Sequence, residues 1–167
     1  MNRMVIATCL AGLVSVPAMD VDAQVSSRIY TQNATGMCQG ATRLDERNLD
    51  KGVMYVINFG RRTVDVSCSM MTREAAQEIS RVIVSLINVE ESPANITCQL
   101  VPAPADFSIG WASITKTALV GALSTDRIEF FMSENADGSP FAAVNFECAL
   151  PPGTGIGATL YFALESV

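Results

Sequence analysis

The chain has 167 residues, 49% hydrophobic and 17% charged, with 11 basic against 17 acidic side chains and a formal net charge of −6. That length suits one domain with its own core, and the acidic balance leaves no basic patch for a nucleic-acid backbone. No histidine occurs, which removes Ser-His and Cys-His nucleophile pairs and most catalytic zinc sites.

Arg3 precedes an uncharged apolar run from Met4 to Met19, followed by Val21-Asp22-Ala23. This is the layout of a secretory signal peptide cut after Ala23, with Val16-Pro17-Ala18 as the second choice of site. The run is shorter than the roughly 20 apolar residues of an anchor, and Pro17 breaks it, so no membrane insertion is expected after cleavage. Cys9 lies inside the leader, where Thr8 before it does not suit a lipidation motif. The expected organisation is a signal peptide at 1–23, a loose polar arm at 24–37 and a single domain at 38–167, in the periplasm or secreted.

Beyond the arm, apolar residues mostly recur at every second position in short runs bounded by Gly, Pro, Asn, Asp and Ser, which is the strand pattern. The runs fall near 53–59, 63–70, 81–89, 94–101, 108–115, 127–132, 141–150 and 158–165. About eight strands in a domain of this length predict an all-β fold, a two-sheet antiparallel β-sandwich. Thr72 with Glu74 can cap one short helical turn near 72–80, a crossover between sheets. Arg61-Arg62, the only adjacent basic pair, reads as a solvated turn.

Three runs share one pattern: Val64-Asp-Val66-Ser-Cys68-Ser-Met70, Ala94-Asn-Ile96-Thr-Cys98-Gln-Leu100 and Val144-Asn-Phe146-Glu-Cys148-Ala-Leu150. Strand alternation turns the cysteines inward with Val66, Ile96, Phe146 and Leu150, and turns Asp65, Ser67, Thr97, Asn145 and Glu147 to solvent. With the leader gone the chain keeps Cys38, Cys68, Cys98 and Cys148, an even number bound for an oxidising compartment, so disulfides are expected over zinc. Three connectivities are open. Cys38–Cys68 with Cys98–Cys148 is favoured, because each bond joins sequence neighbours and the first would pin the arm. In the chain-entropy account each contributes roughly 3–4 kcal/mol.

The order of Cys38, the Cys68 strand, the long strand at 81–89, Ile-Thr-Cys98-Gln-Leu and a late Cys148-Ala-Leu-Pro-Pro before a final strand resembles a group of small exported bacterial proteins of unknown function. The resemblance covers most of residues 36–167. That group commonly has proline after the second cysteine, where this chain has Ser69. The resemblance implies export, β structure and cysteine pairing, and it implies no activity.

Ser113-Ile-Thr-Lys116 matches the Ser-x-x-Lys string of serine acyl-enzymes, whose chemistry needs a helix to bring the two side chains together; on a strand it carries none. Glu129, Glu134, Asp137 and Glu147 could supply an acid/base pair, but read as a solvated acidic face. Glu134-Asn-Ala-Asp-Gly138 has half a calcium loop and reads as a hairpin turn. Gly153-Thr-Gly155-Ile-Gly157 precedes a strand and reads as a flexible connection. Asn33-Ala-Thr35 and Asn95-Ile-Thr97 are glycosylation sequons that matter only in a glycosylating host.

Among Trp111, Tyr30, Tyr55 and Tyr161, packing is the better reading for each, and Trp111 is the candidate ligand contact. The first functional expectation is a non-catalytic exported domain, structural or interaction-forming. The alternative is a carbohydrate- or cell-envelope-binding module around Trp111 and the acidic loops, and a carboxylate-only hydrolase comes third. No cofactor or metal is expected, and the partner would be an envelope glycan or a protein.

Overall fold

A computed structural model describes residues 25–70, 78–103, 113–135, 138, 141 and 143–166. The elements in chain order are β1 (Val25–Asn33), α1 (Ala34–Met37), β2 (Cys38–Gly40), α2 (Arg43–Glu46), β3 (Leu49–Lys51), β4 (Val56–Asn58), β5 (Val64–Met70) and β6 (Glu78–Asn88). They continue with β7 (Ala94–Ala103), β8 (Ile114–Val120), β9 (Ser124–Phe131), a 3-10 turn (Met132–Glu134), β10 (Ala143–Leu150) and β11 (Thr154–Ser166). One sheet runs β3-β4-β11-β6-β9 with β1 also paired to β11, and the other runs β2-β5-β10-β7-β8. Every pairing is antiparallel. The two-sheet β-sandwich read from alternation is the observed fold, with about eleven strands among the described residues where about eight were expected.

The extra strands are those that alternation hides. Residues 25–33 are an edge strand rather than a loose arm: all nine pair in register with β11, and Tyr30 stacks on the buried Tyr161 at 5.0 Å between ring centres. An edge strand meets the core with only alternate side chains, so main-chain pairing can hold a sequence this polar. β2, β3 and β4 have three residues each, too few to show a period. Of the expected helical turn at 72–80, residues 72–77 lie outside the described residues and Glu78–Ser80 open β6. Of the run at 108–115, residues 108–112 also lie outside them, and the observed strand begins at Ile114 and runs to Val120.

The core lies between the sheets around Leu86, Ile96, Leu100, Phe130, Phe146 and Tyr161, each fully or almost fully buried. On β5 the burial alternates strictly, with Val64, Val66, Cys68 and Met70 inside. Cys38 and Cys68 face each other across β2 and β5 and are bonded, with S–S 2.05 Å; Cys98 and Cys148 do the same across β7 and β10, with S–S 2.04 Å. Both bonds therefore tie neighbouring strands of one sheet. Two disulfides in the core belong to an oxidising compartment.

Two buried asparagines, Asn58 at the end of β4 and Asn88 at the end of β6, close the same end of the sandwich in the same way. Asn58 Nδ2 donates to Arg62 O and Leu150 O, both at 2.8 Å, and its Oδ1 accepts the Gly60 N–H. Asn88 Nδ2 donates to Ser92 O at 2.9 Å, Val120 O at 3.2 Å and Gly121 O at 2.9 Å, and its Oδ1 accepts the Glu90 N–H. Each side chain thus shapes its own loop and bonds a carbonyl of the opposite sheet.

The glycines at 153–157 are structural and not a loose connection. Gly153 turns the chain at φ +67°, and Gly155 lies so close to β4 that a Cβ would stand 2.4 Å from Val56 O. Among the described residues two buried side-chain atoms lack a hydrogen-bond partner, Arg81 Nε and the hydroxyl of Thr159, which is fully buried opposite Val84. Thr159→Val keeps the shape and removes the hydroxyl, so it should raise stability by about 1–2 kcal/mol. Urea unfolding should show a higher midpoint at unchanged slope.

Candidate functional site

The outer face of the six-stranded sheet follows from register. Inward positions of β6 are Val82, Val84 and Leu86, so Arg81, Ile83, Ser85 and Ile87 point outward. Across the strands Arg81 stands between Phe162 of β11 and Phe131 of β9, with Ile29 of β1 beyond Phe162. Its guanidinium lies 5.1 Å from the centre of each ring, close enough for attraction to both aromatic faces. The next outward position on β9 is Glu129, which pairs with Arg81 through Oε2 and with Arg127 Nε through Oε1 at 2.6 Å.

Beyond this row the face sinks into an open depression of about 620 Å³ whose lining includes Ser85, Ile87, Thr125, Asp126, Arg127 and Gly157. Small residues make the hollow. A Cβ on Gly157 would stand 3.5 Å from Ile87 and 3.6 Å from Ser85, so its absence leaves open space over the centre of the sheet. The face therefore joins a row of planar groups to a hollow rimmed by hydroxyls and a guanidinium.

Lys116 lies at the seam between the sheets. It occupies an inward position of the edge strand β8, in the row of Cys98 and Cys148. Its ammonium emerges at the sandwich edge, donating to Glu129 O at 2.5 Å and pairing with Glu134 Oε1 at 2.6 Å, beside the rings of Phe130 and Phe131. Ser113, three residues earlier, falls on the opposite strand face and accepts from Gln99 Nε2 at 2.7 Å. The Ser-x-x-Lys string therefore forms no dyad.

Burial pushes the Glu134 carboxyl up, but the hydrogen bonds from Lys116 and from the Phe131 N–H, with the Lys116 charge, outweigh it and hold the group below its ordinary 4.5. At Glu46 the hydrogen bonds from Lys51 and the Gly40 N–H act in the same direction against burial. A carboxylate whose folded value is depressed adds stability that is present above its unfolded value and lost as pH falls through the folded one. Stability should therefore decline below about pH 4.5. In Lys116→Met, Glu134 loses its cation, so that decline should be shallower while stability at pH 7 is lower; urea midpoints over a pH series measure both.

The carboxylates considered for acid/base work are not brought together. Glu129 and Glu134 are each committed to cations, Glu147 faces outward on the other sheet, and Asp137 lies outside the described residues. Trp111 lies outside them too. Tyr161 is core and Tyr30 and Tyr55 are half-buried, while Phe59, placed on the same face as Tyr55 and Ile57 by alternation, is exposed. Arg62 pairs with the buried Asp45 at 2.9 Å, whose other oxygen accepts the Thr42 hydroxyl at 2.7 Å, so the Arg-Arg turn is anchored through one of its members. Among the described residues no three His, Cys, Asp or Glu side chains gather as a metal site.

Sequence reading missed Arg81, Arg127, Phe131 and Phe162. Their outward orientation follows from alternation, but their adjacency depends on the order β11-β6-β9, which joins segments far apart in the chain.

No family model matches the chain, and no curated protein matches it. Among solved structures it is similar to TmCBM61, solved in complex with β-1,4-galactotriose, at 13% identity over 84% of this chain and 88% of that one, with a TM-score of 0.38. It is also similar to a structure described as CBM4, at 10% identity over 83% and 86% with a TM-score of 0.36, and to CtCBM11, at 12% identity over 89% and 92% with a TM-score of 0.35. Likenesses this distant carry no inference about what this chain binds.

Proposed function

We propose that residues 24–167 form an exported, non-catalytic binding module that takes a glycan on the outer face of the six-stranded sheet. The observation that carries this reading is the open depression beside the Phe162–Arg81–Phe131 row. A sugar presents an apolar C–H face and a rim of hydroxyls. The first suits aromatic and guanidinium planes, and the second suits Ser85, Thr125 and Arg127.

Export is supported by the leader at 1–23 and by the two core disulfides. Glycan binding is the alternative among the sequence expectations, behind a structural or interaction-forming role, and the depression on this face is what favours it. Trp111 is a candidate second contact.

A glycan array on the mature protein tests the reading, with Phe162→Ala and Trp111→Ala alongside wild type and thermal melts to check folding. Binding by wild type that Phe162→Ala abolishes is the expected result. Binding that survives in Phe162→Ala would move the site off this face, and no binding to any glycan would refute the proposal.

A further inference from the structure

The structure assigns a ligand chemistry to Arg127: we infer that the glycan taken at this face carries a carboxylate, as in a uronic acid, and that Arg127 grips it. The inference rests on the glycan reading above and adds the ligand's charge. Arg127 is positioned through one nitrogen only, the Nε that donates to Glu129 Oε1 at 2.6 Å. Glu129 is held in turn by Arg81, whose guanidinium sits between Phe131 and Phe162.

The plane of the Arg127 guanidinium is thus set from behind by a chain of contacts ending in two aromatic rings. Its two terminal amino groups engage nothing among the described residues, and the side chain is 65% exposed at the rim of the depression. Two parallel N–H donors on a fixed plane match the two oxygens of a carboxylate, and a pre-oriented fork loses little freedom on binding it.

The local charge does not oppose this. Arg81 and Arg127 are balanced by Glu129 and by Asp126 at the depression, so no excess of negative charge at this face of a chain of net charge −6 opposes an acid, and the preference is assigned to the free fork of Arg127. Asp126, which also lines the depression, registers with the inward Leu86, and its Oδ1 accepts the Arg127 backbone N–H at 2.8 Å. It therefore does not occupy the fork. Besides Asp126 and Arg127, the polar side chains that line the hollow are the neutral hydroxyls of Ser85 and Thr125, which suit sugar hydroxyls.

Isothermal titration of the whole mature domain tests the inference, using oligomers of galacturonate, mannuronate and glucuronate-substituted xylan, the methyl ester of each, and neutral galactan, mannan and glucan oligomers. Wild type should bind at least one free acid at least tenfold more tightly than its methyl ester. Arg127→Gln should erase that preference by weakening the free acid far more than the ester, with the melting curve showing that the domain is still folded. Neutral or esterified oligomers bound as tightly as the acids, or a preference that survives in Arg127→Gln, would overturn the inference and leave the glycan reading standing. No binding to any oligomer would overturn both.

Discussion

Replacing Cys98 and Cys148 together by alanine should cost about 5 kcal/mol, more than the same replacement of Cys38 and Cys68. In the chain-entropy account, sequence separations of 50 and 30 residues correspond to roughly 4 and 3.6 kcal/mol. Loop length alone therefore hardly separates the two bonds, and packing must. Cys98 and Cys148 are fully buried on the central strands β7 and β10, in the row between Val66 and Lys116. Removing both sulfurs there leaves a void beside Ile96 and Phe146 that flanking strands on both sides prevent from closing. Cys38 lies on β2, a three-residue edge strand that can shift to fill the gap. Since a domain of this size has about 5–15 kcal/mol in all, the core variant should be barely folded. Urea unfolding of both double mutants measures the difference, and an equal or reversed order would contradict the packing argument.

Asn88→Leu should cost about 3–4 kcal/mol, although it keeps the branching of the side chain and adds apolar surface. The amide is surrounded by Ser92 O, Val120 O and Gly121 O, with the Glu90 N–H on its other side. Leucine leaves these groups without their partner, and a buried polar group so stranded costs about 1–3 kcal/mol. Asn88→Asp should be worse, because a carboxylate offers only acceptors to three carbonyl oxygens. The lost bonds also tie β6 to the end of β8, so amide exchange at Val120 and Gly121 should accelerate before global unfolding does. A loss under about 1 kcal/mol in Asn88→Leu, measured by urea unfolding, would show that the clamp is not what closes this end of the sandwich.

Why the asparagine clamps were not legible beforehand is instructive. Asn88 reads as a turn residue after an apolar run, which it is, but its partners lie 32 and 33 residues away on another sheet. The same holds for the candidate site. Arg81, Arg127 and Phe162 sit on three strands whose lateral order no local pattern reveals. What alternation does reveal is everything with one face on the core and enough length to show a period: β5, β6, β7 and β10 follow closely from the apolar-x-apolar-x-Cys runs and the long run beginning at 81. β1 escaped because a polar edge strand has the composition of a loop. β8 was obscured because Lys116 and Ala118 occupy inward positions at the sandwich edge, where an ammonium can reach solvent and carboxylate and so need not be apolar.

Chemical-shift mapping with a bound oligosaccharide tests the central claim most directly. Titrating labelled mature protein with the best-bound glycan should shift the amides of Ser85, Ile87, Thr125 and Arg127 together with those of Arg81, Phe131 and Phe162, and leave the outer face of the other sheet, marked by Ser67, Glu147, Gln99 and Thr115, unchanged. Shifts confined to that second face or to the loops at 89–93 and 151–153, with none at Arg127, would contradict it.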